Sequence, residues 1–89
     1  MDRPEYDPDI LDLVFERVKD KLHYRLLQKG KGIYMSSHEI LGIITEEYDE
    51  YKAEVRANNA FGQEEELLDI AVGCVFGLAS LLSNKMDWL

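Results

Sequence analysis

The apolar positions fall into three stretches with helical spacing, and no alternating run is long enough for a strand, so the pattern predicts an all-α fold. In the first stretch Leu11, Val14, Phe15, Val18, Leu22 and Leu26 form one stripe. Asp7 stands where it can cap this helix, and Pro8 takes the first helical position, where an N–H would have no partner in any case. The stripe stops before Gly30 and Gly32, and KGKGIYM reads as a solvated connection. Ser36-Ser37-His38-Glu39 then has the form of a capping box, with Met35 and Ile40 at the positions of a hydrophobic staple. Ile40, Ile43, Ile44, Tyr48, Tyr51 and Val55 give the second helix a broad apolar face that ends near Ala57, where ANNAFG breaks it. A third helix is predicted over about 63–83, opening on Glu64, Glu65 and Glu66 at the positive end of its dipole.

From 70 to 82 the third helix is apolar nearly all round: Leu68, Val72, Phe76 and Ala79 lie opposite Leu67, Ile70, Cys74, Leu78 and Leu81. Two other helices cannot cover both sides, so the pattern predicts a homo-oligomer in which two three-helix subunits join incomplete cores into one bundle. Gly73 and Gly77 permit a close backbone approach on one edge.

With 89 residues the chain reads as one domain, 1–89, and its formal charge of −8 weighs against a nucleic-acid polymer, whose phosphates call for a broad basic surface; only Lys19–Lys31 is locally basic. One cysteine, Cys74, leaves no internal disulfide and fits a reducing, cytoplasmic setting. The longest uncharged run, 70–84, is shorter than the ~20 residues that span a bilayer, and the N-terminus has no apolar signal segment, so no membrane association is expected.

The acids carry the candidate chemistry. Glu47 and Glu50 are three apart, as are Glu66 and Asp69, so each pair shares one helix face; Glu46 joins Glu50 from the flank. On a helical wheel Glu47 falls inside the apolar arc of the second helix, which aims it at the seam between helices. Carboxylates converging there repel unless a hard divalent cation such as Mg²⁺ neutralises them, and such an ion is commonly completed by substrate phosphates. The competing reading is a solvated acidic face, common in a chain with 18 acids.

Glu46-Glu47-x-x-Glu50, followed after 15 residues by Glu66-x-x-Asp69, resembles the EExxE…ExxD signature of MazG-like, all-α nucleoside triphosphate pyrophosphohydrolases over about half the chain. The resemblance implies Mg²⁺-dependent hydrolysis of a nucleoside triphosphate to monophosphate and pyrophosphate. It also implies that Glu47, Glu50, Glu66 and Asp69 ligate the metal, with Glu46 a further ligand or the residue that orients the attacking water. Glu46, Glu47 and Glu50 are then the catalytic set, and the subunit is expected as a dimer or a tetramer. Relatives carry lysine and asparagine on a further helix that reaches substrate, whereas here Asn84 and Lys85 are followed only by residues to Leu89. Lys29, Lys31, Lys52 and Arg56 are the cations considered for phosphate. The alternative function is a non-catalytic helical assembly module that keeps the fold.

Other residues read as structural. His23 and His38 enter no triad, and Asp20-x-x-His23 is not the Glu-x-x-His of di-iron bundles. Tyr48 and Tyr51 read as core, and Phe61 and Trp88 as the better aromatic candidates for stacking on a base or covering an interface.

Overall fold

The computed structural model describes residues 2–87 and contains three helices, α1 (Pro8–Lys29), α2 (Ser37–Arg56) and α3 (Ala60–Leu82), with no β-strand among the described residues. Their ends follow local chemistry. Asp7 caps α1 by accepting from the Asp9 N–H at 2.9 Å, and Gly30 closes the helix at φ 90°, a left-handed value that a Cβ would resist. Ser36 Oγ accepts from the Glu39 N–H at 3.1 Å. The return bond of the capping box reaches one residue further back than expected, from the Met35 N–H to Glu39 Oε2 at 3.3 Å. Ala57 ends α2 as the pattern predicts.

The start of α3 corrects the sequence prediction. It begins at Ala60 because Asn58 adopts φ 54° and the Asn59 side chain accepts from the Gly62 N–H at 3.1 Å, so the two asparagines end one helix and cap the next. Glu64, Glu65 and Glu66 therefore lie beyond the first turn, which holds no acid. A favourable helix dipole does not explain them.

α2 and α3 form an antiparallel hairpin with close backbones. A Cβ at position 77 would stand 3.0 Å from Ile40 Cγ2, and one at position 73 would stand 3.8 Å from Ile43 Cγ2. The small-residue edge of α3 thus serves α2 of the same chain. α1 runs parallel to α3 along a ladder of ion pairs: Arg17 and Lys21 reach Glu65 at 3.8 and 3.5 Å, and Lys21 and Arg25 reach Asp69 at 2.6 and 2.7 Å. No Cα of α1 comes within 8 Å of a Cα of α2. The two helices flank α3 and leave a groove between them.

The connection between α1 and α2 is not wholly the free turn that its glycines suggest. Ser80, fully buried on α3, accepts from the Tyr34 N–H at 3.1 Å and donates to the Phe76 carbonyl at 2.9 Å. The Tyr34 and Phe76 rings meet edge to face at 5.0 Å, and the Asp87 N–H donates to the Met35 carbonyl at 2.9 Å. Residues 34–35 are strapped down, while Gly30, Lys31 and Gly32 are exposed.

Val72, 4% exposed, is the one buried large apolar side chain among the described residues. The two sides of α3 are unequal: on one Val72 is buried, Leu68 and Phe76 are half-buried and Ala79 is exposed, whereas on the other Ile70 is half-buried and Leu67, Cys74, Leu78 and Leu81 lie open, as do Ile10 and Phe15 on α1. The radius of gyration is 15.0 Å, against about 12 Å for a compact chain of this length. The accessible surface is 7059 Å², against about 5,400 Å² for a folded monomer of this mass. No described helix is long and apolar enough to cross a membrane. Trp88 lies outside the described residues.

Candidate metal centre

The antiparallel register of α2 on α3 sets Glu47 against the turn that carries Glu66 and Asp69. One carboxylate oxygen from each of these three acids lies within 4.8 Å of the others, a spacing that one cation can bridge. Glu47 Oε2 and Glu66 Oε2 are shielded from solvent and have no hydrogen-bond partner, although buried acceptors are normally satisfied. Asp69 differs: both Lys21 Nζ and Arg25 Nη2 reach its Oδ1.

The electrostatics follow from this packing. Loss of solvent, then the carboxylates of Glu50, Asp69 and Glu47, pushes the Glu66 pKa up to about 7. Loss of solvent, then Asp69 and Glu50, also raises Glu47. Glu50 stands beside both acids but remains exposed, so it can approach a cation from the solvent side. Glu46 is exposed and lines the groove next to the cluster. The five acids singled out from the sequence therefore occupy one neighbourhood, with Glu47, Glu66 and Asp69 at its centre.

Because folding raises the Glu66 pKa, the folded chain binds this proton more tightly than the unfolded chain. Its contribution to stability is full below the ordinary value of 4.5 and is lost as pH rises through about 7. In chelator, wild-type protein is expected to lose more melting temperature between pH 5 and pH 8 than Glu66→Gln, the two pH values bracketing the carboxylate range. Parallel pH profiles would contradict this assignment. Cation binding should strengthen over the same interval as the ligands deprotonate.

The groove between α1 and α2 encloses about 340 Å³. Val72, Phe76 and Tyr34 give it an apolar end, and Arg25, Lys29 and Glu46 are among its charged walls. Of the cations weighed from sequence, Lys29 lines the groove, while Lys52 is 3.1 Å from Asp49 and lies over the Tyr48 ring. Phe61 is 70% exposed and is absent from the groove walls. Sequence reasoning missed Lys21 and Arg25 as site residues. Their signal was the spacing of four shared by Arg17, Lys21 and Arg25 on α1 and by Glu65 and Asp69 on α3, which lets two complementary stripes meet.

The acid centre is chemically suited to a hard cation, since it offers only oxygen donors, two of them buried and unsatisfied. No protein-family model, curated protein or solved structure matches the chain.

Proposed function

We propose that the protein is a Mg²⁺-dependent nucleoside triphosphate pyrophosphohydrolase, adding water across the α–β phosphate bridge to release a nucleoside monophosphate and pyrophosphate. The observation that carries this reading is the pair of buried, unpartnered oxygens, Glu47 Oε2 and Glu66 Oε2, facing Asp69 beside an open groove. Unneutralised carboxylates in such a place cost several kcal/mol, of order 1–3 each by the ordinary penalty for a buried unsatisfied group. A bound cation removes that penalty.

Glu47, Glu66 and Asp69 would hold the metal from the protein side, with Glu50 closing from solvent. Mg²⁺ supplies neutralisation of phosphate charge and acidification of the attacking water. Glu46, on the groove wall, would orient that water, and the Tyr34 and Phe76 rings would offer an apolar surface for the base. Lys21 and Arg25 both reach Asp69 Oδ1, so either one holds the direction of that carboxylate when the other is engaged elsewhere.

The reading includes a homodimer, or a tetramer built from two such dimers. The surface in excess of a compact monomer, about 1,700 Å² per chain, falls in the range that obligate subunits bury. The open side of α3 and the exposed apolar residues of α1 supply that surface.

A non-catalytic assembly module is the second reading, favoured by the two cations that already neutralise Asp69. Incubation with a panel of canonical and modified nucleoside triphosphates and Mg²⁺ separates the two. The enzyme yields monophosphate and pyrophosphate in equal amounts; a module yields neither. Mg²⁺ should also raise the melting temperature in both readings that retain the ion, by the equivalent of about 2.7 kcal/mol at one hundred times its dissociation constant. No thermal response to Mg²⁺ would remove the metal from either.

A further inference from the structure

The groove has a charge pattern that the acid cluster does not explain. Its basic walls are Arg25 and Lys29, both near the end of α1, and they face Glu39, Glu46 and Glu47 from α2 and Asp69 from α3. Arg25 is placed unusually. Its Nη2 donates to Asp69 Oδ1 at 2.7 Å, yet Lys21 Nζ reaches the same oxygen at 2.6 Å from outside the groove. Asp69 thus has two cations on one oxygen and would stay paired if either turned away.

A guanidinium presents five N–H donors in a rigid planar fork, which matches the geometry of phosphate oxygens. Arg25 makes one hydrogen bond among the described residues and is 30% exposed, so most of its donors remain for a ligand in the groove. A polyanion approaching this site otherwise meets a wall of carboxylates. An ion between them removes the repulsion, but a fixed cationic fork at the edge of the cluster adds a directed attraction that grows with the number of phosphates.

We propose that Arg25 is a substrate-binding residue that selects the triphosphate over the monophosphate, donating to a phosphate oxygen in the groove while Lys21 keeps Asp69 paired. This inference rests on the pyrophosphohydrolase reading and deepens it. Lys29, on the same wall, faces the same phosphates as a second, more flexible charge. The selection has a kinetic use, because a site that holds the product monophosphate weakly clears after each turnover.

The test is a binding measurement on the full chain with Mg²⁺, using an adenosine triphosphate analogue that carries a methylene group between its α and β phosphates, and adenosine monophosphate. Wild type is expected to prefer the analogue by at least about tenfold, as charge-assisted forked contacts allow. Arg25→Gln should erase most of that preference, and Arg25→Lys, which keeps the charge to Asp69 but lacks the fork, should recover part of it. Arg17→Gln removes an equal charge from the same ladder outside this groove and should leave the preference within about twofold, the scatter expected of a screened surface charge. Mn²⁺ titration without nucleotide, with circular dichroism to verify the fold, should give the same ion affinity in wild type and Arg25→Gln.

The proposal is overturned if Arg25→Gln keeps the preference, if wild type shows none, or if Arg25→Gln loses Mn²⁺ along with the analogue. The last result would make Arg25 only a holder of Asp69. Absence of turnover on unmodified triphosphates would remove the reaction and leave this binding test intact, since its ligand is not cleaved.

Discussion

Glu66→Gln is expected to make the metal-free protein more stable while reducing Mg²⁺-dependent turnover by at least about a hundredfold, equivalent to ~2.7 kcal/mol of transition-state stabilisation. The two effects share one cause. Glu66 Oε2 is hidden from water with no hydrogen-bond donor, and its neighbours Glu50, Asp69 and Glu47 are all acids. An amide of the same shape removes the charge and brings two donors to acceptors that lack them. The expected gain in chelator at pH 8, above the raised Glu66 pKa of about 7, is about 1–2 kcal/mol, from relief of an unsatisfied buried group. At this chain length that corresponds to a rise in melting temperature of ~4–8 °C per kcal/mol. Calorimetry in chelator and in Mg²⁺ measures both halves. The wild type should gain on adding Mg²⁺ and the variant should not. A variant no more stable than wild type in chelator at pH 8 would mean that Glu66 is adequately solvated or paired, and the metal reading would lose its main support. Stability given up at a site for the sake of function is the usual pattern where charges of one sign are gathered.

The second large effect concerns assembly. Light scattering should return a mass of at least twice the 10.3 kDa chain, and Leu78→Glu should weaken self-association by at least about a hundredfold, or ~2.7 kcal/mol. Leu78 is 57% exposed in the single chain, so a glutamate there disturbs little within one subunit. Against a partner it becomes a buried, unpaired charge. The same open side of α3 carries Leu67 and Leu81, and α1 adds Phe15, 61% exposed. Between α1 and α3 a second groove of about 210 Å³ is walled by Val14, Val18, Leu67, Leu68 and Ala71, an apolar recess that knobs from another subunit can fill. A monomeric wild type, or a Leu78→Glu variant that associates as tightly as its parent, would overturn the dimer. With Val72 as the buried large apolar residue among the described residues, loss of association should also lower the melting temperature, so stability will depend on protein concentration.

Several features were legible before any coordinates because they are local. Asp7, Gly30 and Ser36 mark helix ends through bonds that reach at most four residues, Pro8 marks one by having no N–H to satisfy, and Glu39 departs from the expected bond by a single residue. The same holds for the pairing of Glu47 with Glu50 and of Glu66 with Asp69, since one turn of helix fixes it. The start of α3 was equally local but was hidden: Asn58 and Asn59 read as a break in the pattern, and exposed Phe61 offered no apolar stripe to reveal the helix they cap.

Contacts within a turn or two of chain fix the three helices, the caps of the first two and the spacing of acids on α2 and α3, and these are the features that could be read from the sequence alone. Tertiary structure decided what those faces meet: α2 against the glycine edge of α3, α1 alongside α3 through Lys21 and Arg25, and a groove where α1 and α2 stay apart. It also decided that Asp69 is paired while Glu47 and Glu66 are not. Such choices turn on the register and separation of helices distant in sequence, which the spacing within any one helix does not encode.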